Sequence, residues 1–194
     1  MYGSSGNLYR QIVQGAPYDL FLSADDALIN KLPESGLITR QVLGQGALVL
    51  YHNSKESSGN LKELFEASVS TGKLNGVEFK LAIANPAHAP YGKAARQALE
   101  SMGVWVQLKP NLVIAEKVSQ AAQFARSGAA AFAFVSQSLA SSLEGSFDAL
   151  PESSYEPVNH SIALVTDSET GRQFLLFLES ESARAVLSKY GFRR

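Results

Sequence analysis

The hydrophobic positions of this 194-residue chain fall in short continuous runs, each followed by a polar turn and then by apolar residues at helical spacing. Leu20–Leu22, Ala47–Tyr51, Leu81–Ala84, Leu112–Ala115, Ala129–Val135 and Ser161–Thr166 have the length and continuity of buried strands. The run Ala129–Val135 is apolar throughout, as a strand covered on both faces should be. Between the runs, helices are predicted where apolar residues recur every three or four positions. One carries Leu8, Ile12 and Val13, with Ser5 or Asn7 as its expected N-cap and Gly15 as its terminator. Another carries Leu28 and Ile29 and is closed by Pro33 and Gly36; a third runs from Leu61 to Ser68. Later ones carry Ala94, Ala95, Ala98, Leu99 and Met102; then Ala121, Ala122, Phe124 and Ala125 up to Gly128; then Phe174, Leu175, Phe177 and Leu178; then Ala183, Val186 and Leu187 before Gly191. His52–Asn60, polar and rich in serine, reads as a surface loop.

Strand–helix alternation of this kind predicts an α/β fold with parallel sheets. The runs Ala47–Tyr51 and Ser161–Thr166 resemble each other and bracket the middle of the chain. If they pair as crossover strands, the chain divides into one lobe of residues 1–46 and 159–194 and a second lobe of residues 47–158.

The best-defined unit is Lys80–Glu100, read as strand, tight turn and alanine-rich helix. Pro86 and Pro90 bar helix from continuing behind them, and Pro90 presets φ for a first helical turn. A helix that starts directly after a strand leaves first-turn N–H groups without helical acceptors, and these favour an anion. Four places put small or polar residues at such a start: Ser4-Ser5, Ala89-Pro90-Tyr91, Lys117-Val118 and Ser136. In open α/β sheets, ligands lie beyond the carboxyl ends of the strands.

Composition narrows the classes. The net charge is −1 with no long basic run, so the electrostatic footprint of a nucleic-acid binder is missing. There is no cysteine, which removes disulfides and thiolate metal sites and fits either redox compartment. No apolar run approaches the roughly 20 residues of a membrane span.

Candidate chemistry is sparse. Asp25 and Asp26 suit the first turn of a helix, where negative charge is favourable, better than a metal site. Ser70-Thr71-Gly72-Lys73 has the Ser-x-x-Lys spacing of acyl-serine hydrolases, but neither Ser-Asp-Asn nor Lys-Thr-Gly accompanies it. Gly44-Gln45-Gly46 lacks the third glycine of a dinucleotide fingerprint, because Val49 stands there. His52, His88 and His160 share no metal-ligand spacing, and His88 is read as a residue that holds its loop. Neutral N–H and hydroxyl donors without a proton-transfer group suit binding of an ionised oxyanion and disfavour catalysis.

Five segments then resemble a known family: Gly3–Leu8, Gly15–Asp25, Asn85–Gly92, Ala115–Val118 and Tyr190–Phe192, in order along essentially the whole chain. They are similar to the periplasmic molybdate-binding proteins of ABC importers. The resemblance implies a type II periplasmic-binding-protein fold, two α/β lobes joined by crossover strands, closing on molybdate or tungstate. It implies a solute-binding role without enzymatic activity, metal-cation ligands or cofactor. The oxyanion is the ligand and an ABC permease the partner; nucleic acid is not one, and the full-length protein is expected to be a monomer in the periplasm. Carried over by motif, Ser5 donates its hydroxyl and N–H, Tyr91 and Val118 donate backbone N–H groups, and Ser136 takes a place where some members have a tyrosine hydroxyl. Other tetrahedral oxyanions such as sulfate, or a ligand-sensing or enzymatic domain on the same scaffold, are the alternatives.

The resemblance also implies a strand, a serine-bearing loop and a helix ahead of the Ser5 motif. Met1-Tyr2-Gly3-Ser4-Ser5-Gly6 opens within that motif and has neither the charged nor the apolar region of a signal peptide. The expectation is a chain that begins downstream of its natural start, lacks the first strand and helix of its first lobe, and binds weakly on its own.

Overall fold

The computed structural model describes residues 1–33, 39–53, 59–74 and 77–193. They form two compact units, Met1–Gly46 with Val158–Arg194, and Ala47–Pro157. In chain order, the first unit opens with helix α1 (Ser5–Val13), strand β1 (Leu20–Ser23), helix α2 (Asp26–Asn30) and strand β2 (Thr39–Gly46). The second unit comprises β3 (Leu48–His52), α3 (Leu61–Thr71), the short pair β4 (Lys73–Leu74) and β5 (Val77–Glu78), and β6 (Leu81–Ala84). It continues with α4 (Pro90–Ser101), α5 (Trp105–Leu108), β7 (Leu112–Ala115), α6 (Val118–Arg126), β8 (Phe132–Ser136), α7 (Gln137–Ala140) and β9 (Ser146–Ala149). The chain then returns to the first unit with β10 (Val158–Leu164), α8 (Glu169–Leu178), α9 (Glu181–Lys189) and β11 (Phe192–Arg193).

Local chemistry sets many of these boundaries. Asp25 caps α2 by accepting from the Ala27 N–H, and Asn60 caps α3 by accepting from Lys62 and Glu63. Gly72 ends α3 at φ 64°, a left-handed conformation that a Cβ would strain. Ser168 and Ser180 cap α8 and α9. Ser70, which the Ser-x-x-Lys spacing singled out, sits exposed on α3 with its hydroxyl donating to the Ala67 carbonyl.

In the second unit the strand order is β7-β6-β8-β3-β9. β6 runs parallel to β7 and β8, whereas β3 is antiparallel to β8 and β9. Strands β3, β6 and β8 are buried at every position. One core cluster is built largely of alanines: Ala82, Ala115, Ala121, Ala122, Ala125 and Ala133 among others. Such small side chains let α6 lie close to the sheet. Phe65, Phe79, Phe132 and Phe134 form a second packed group, with Phe65 ring centroids 6.3 Å from Phe79 and 6.0 Å from Phe134. Two buried layers explain the unbroken apolar runs.

The first unit corrects the expectation of parallel sheets. Its sheet, β1-β10-β2-β11, is antiparallel at every pairing among the described residues. The expected pairing of Ala47–Tyr51 with Ser161–Thr166 is also overturned. β3 pairs with β8 and β9, while β10 pairs with β1 and β2, Val158 opposite Gly46. Similar apolar composition reflects similar burial, and burial does not select a partner strand. Leu43, Ile162 and Leu178 pack together in this unit, as do Phe21, Ile29, Leu32 and Ala163. The Ser161 hydroxyl donates to Asp26 Oδ1 at 2.7 Å and ties β10 to α2.

Three further expectations change. His52 belongs to β3 and is buried, so the loop predicted from His52 onward starts later; its centre, 54–58, lies outside the described residues, as does Gly36. His52 is held 3.3 Å from Asp148 and edge-on to Phe132. Ser4, and not Ser5 or Asn7, occupies the N-cap position of α1. Strands β2 and β9 and helix α5 were not legible, since their residues show no clear period.

Candidate oxyanion site

In the second unit the parallel strands β7, β6 and β8 end side by side, and the next element after each is a helix, reached by a turn from β6 and β7 and directly from β8. Ala84 and Ala115 are paired in register at the ends of β6 and β7. The turn after β6 is fastened to β7 by the Asn85 N–H, which donates to the Ala115 carbonyl at 2.7 Å. His88 Nε2 lies 3.3 Å from Glu116 Oε2 and joins the turn before α4 to the turn before α6. That approach lacks hydrogen-bond alignment, so Nε2 has no hydrogen-bond partner there.

Tyr91 is the second residue of α4 and Val118 the first of α6, so both N–H groups belong to first turns. The Val118 N–H has no acceptor among the described residues, because the N–H groups that return to Lys117 come from Gln120 and Ala121. Gly92 seats α4 against β6. A Cβ there would lie 2.7 Å from the Ala84 carbonyl carbon, 2.8 Å from that of Asn85, and closer still to the Ala84 oxygen. Lys93, one position on, is held by Glu156 at 2.6 Å.

Ser136 ends β8 and caps α7. Its Oγ accepts from the Leu139 N–H at 3.2 Å and lies 3.0 Å from Ser138 Oγ. It also shares a hydrogen bond with the Tyr91 hydroxyl. The Tyr91 phenol is buried, and burial pushes its pKa well above the ordinary tyrosine value, helped by the neighbouring Tyr155 and opposed by Ser136. Tyr155 in turn accepts from the Leu48 N–H at 3.0 Å. The hydroxyls of Tyr91, Ser136 and Tyr155 thus form one cluster behind the start of α4.

In the first unit, Ser5 is buried at the first position of α1, and its Oγ accepts from the Ala24 N–H at 3.2 Å, leaving its own proton to donate. The N–H groups of Ser5 and Gly6 have no acceptor among the described residues; those of Asn7 and Leu8 go to the Ser4 carbonyl. The structure thus gathers Tyr91, Val118 and Ser136 in one unit and puts Ser5 in the other. Tyr155 was missed, because it lies in a stretch without apolar period. Ser4 is part of the Ser4-Ser5 start named from the sequence, but the motif assigned a ligand role to Ser5 alone.

Among the described residues, no group of three or more His, Asp or Glu could hold a metal ion, and no helix is long and apolar enough to cross a membrane.

A family model described as bacterial extracellular solute-binding protein matches residues 1–193. The molybdate-binding protein ModA of Rhodobacter capsulatus is 31% identical over 98% of this chain and 75% of its own length. That of Escherichia coli is 32% identical over 98% of this chain and 76% of its own. The solved periplasmic molybdate-binding protein of Azotobacter vinelandii superposes with a TM-score of 0.82 at 31% identity, covering 99% of this chain and 85% of that one. Peb3 from Campylobacter jejuni, 13% identical with a TM-score of 0.67, shares the fold alone. These relatives are named for binding and not for catalysis, and the α/β architecture is that of the type II periplasmic binding proteins. The match across the whole chain, together with relatives above 30% identity, establishes that the chain belongs to the bacterial extracellular solute-binding proteins, in the family of the periplasmic molybdate-binding proteins.

Proposed function

We propose that this protein captures molybdate or tungstate outside the cytoplasm and delivers the oxyanion to the permease of an ABC importer. The observation that carries the reading is the pair of helix starts at adjacent parallel strand ends, Tyr91 on α4 and Val118 on α6, with the turn before α4 fastened to β7 through the Asn85 N–H. Ser5, with its hydroxyl proton and first-turn N–H, supplies the donors of the other unit. The donors are neutral, which suits a fully ionised anion with no proton to share.

The magnitudes are adequate. A hydrogen bond to a charged group contributes roughly 1.5–3 kcal/mol net, and a partly buried helix terminus adds up to ~2 kcal/mol. A few of them together reach the roughly 8 kcal/mol of micromolar affinity. Ser136 supports this site through Tyr91: with its hydroxyl bonded to the Leu139 N–H and shared with Ser138 and Tyr91, it acts on the ligand indirectly.

The test is calorimetric titration of the protein with molybdate, tungstate, sulfate and phosphate. Heat with the first two and none with phosphate is the expected result. Tight binding of sulfate in preference to molybdate would reassign the ligand, and no heat with any of the four would end the oxyanion reading.

A further inference from the structure

Among the buried serines of the described residues, Ser4 stands apart. Ser5, Ser23, Ser68, Ser136 and Ser161 each have a hydrogen-bond partner for the hydroxyl. Ser4 is 8% exposed, and its Oγ is buried with no partner at all. A hydroxyl removed from water without a partner is unfavourable, so such a group in a folded protein calls for an explanation.

Its position makes the point sharper. Ser4 is the N-cap of a nine-residue helix, where a serine hydroxyl ordinarily accepts from the N–H two or three residues on. Here there is no side-chain cap bond: the Asn7 N–H goes to the Ser4 backbone carbonyl at 3.0 Å, and the Gly6 N–H, two residues on, does not bond the hydroxyl. The hydroxyl is thereby released from the capping role. Beside it are three further unused donors: the N–H groups of Ser5 and Gly6 and the Ser5 hydroxyl proton, whose oxygen is already occupied by the Ala24 N–H. Gly6 adds no side chain to obstruct approach. A cluster of unused hydrogen-bond donors suits a species made entirely of acceptors, and an ionised tetrahedral oxyanion is one.

We propose that Ser4 is a direct oxyanion ligand, its hydroxyl donating to the same bound anion as Ser5, so that two consecutive side chains and the first turn of α1 form one half of the binding site. This rests on the oxyanion reading given above. It assigns Ser4 a role that its place as a helix cap would not suggest. Capping and ligation also predict opposite effects on the unliganded protein. Removal of a capping hydroxyl destabilises a helix, whereas removal of a buried hydroxyl with no partner relieves an unfavourable burial.

The experiment uses the protein and its Ser4→Ala, Ser4→Thr and Ser5→Ala variants. Each is titrated calorimetrically with sodium molybdate and melted with and without that salt. For Ser4→Ala, the expected result is at least a tenfold loss of affinity and a smaller molybdate-induced rise in Tm, with the ligand-free Tm unchanged or raised. Ser4→Thr, which keeps the hydroxyl, should retain most of the affinity. Wild-type affinity in Ser4→Ala, with Ser5→Ala weakened, would overturn the role of Ser4 and leave the oxyanion site standing. Affinity lost together with a lowered ligand-free Tm would show Ser4 to be structural and overturn it too. If the unaltered protein binds no oxyanion, the function and this inference fall together.

Discussion

Gly92→Ala is the substitution whose consequence is best determined by the geometry. The new Cβ would stand 2.7 Å from the Ala84 carbonyl carbon and 2.8 Å from that of Asn85, and closer still to the Ala84 oxygen. Comfortable contact begins near 3.5 Å. All of these atoms are backbone at the end of a fully buried strand, so no flexible side chain can move aside. Relief requires the start of α4 to lift from β6 by about 1 Å. Overpacking of this kind lowers stability by roughly 1–3 kcal/mol. The Tyr91 N–H is one residue away and moves with the helix start. A hydrogen bond of ordinary length stretched by about 1 Å is lost, and a bond to a charged group contributes roughly 1.5–3 kcal/mol, or about 10- to 150-fold in affinity. Urea denaturation should therefore show a lowered midpoint with an unchanged slope, and calorimetry a molybdate affinity at least tenfold weaker. The circular dichroism spectrum should stay that of the folded protein. A folded Gly92→Ala variant that binds molybdate as the wild type does would refute the placement of the α4 start at the ligand.

Other outcomes follow from the same structure. Ser5→Ala should weaken molybdate binding tenfold or more and, unlike Ser4→Ala, should also lower the ligand-free Tm, because the Ala24 N–H loses its acceptor; equal behaviour of the two variants in the absence of ligand would contradict this. His160 is held neutral by burial, its pKa lowered to about 4 beside the Phe192 ring. Between about pH 6.5 and 4 the unfolded chain binds a proton that the folded chain refuses, so stability falls as pH drops through that window, by about 3 kcal/mol in all. Denaturation midpoints measured across it should flatten in His160→Gln, and parallel curves would remove His160 as the cause. The buried Tyr91 phenol resists ionisation, so above pH 10 the unfolded state loses its proton first and stability declines as pH rises. Tyr91→Phe should remove part of that alkaline loss, and an unchanged profile would show that the phenol is not held neutral by the fold.

What the sequence determined by itself was local. The apolar runs located β3, β6, β7, β8 and β10 to within a few residues, and helical spacing located α4, α6, α8 and α9. Pro90 and Gly72 act on φ at their own positions, so their effects need no partner. The helix starts at Tyr91 and Val118 were legible for the same reason: a turn that ends a strand and a proline or polar residue that opens a helix are local signals. Tertiary structure decided everything that depends on a second segment. Burial made Ala47–Tyr51 and Ser161–Thr166 look alike, but hydrogen bonding sent them to different sheets, and the antiparallel order of the first unit has no signature in any single strand. The hydroxyls show this most plainly. Serine is small and polar in every context, and only the packed fold occupies Ser136 with Leu139, Ser138 and Tyr91 while leaving the neighbour of Ser5, Ser4, without a partner. A side chain's chemistry is written in its residue type; whether that chemistry is spent inside the protein or kept for a ligand is settled by what comes to lie against it.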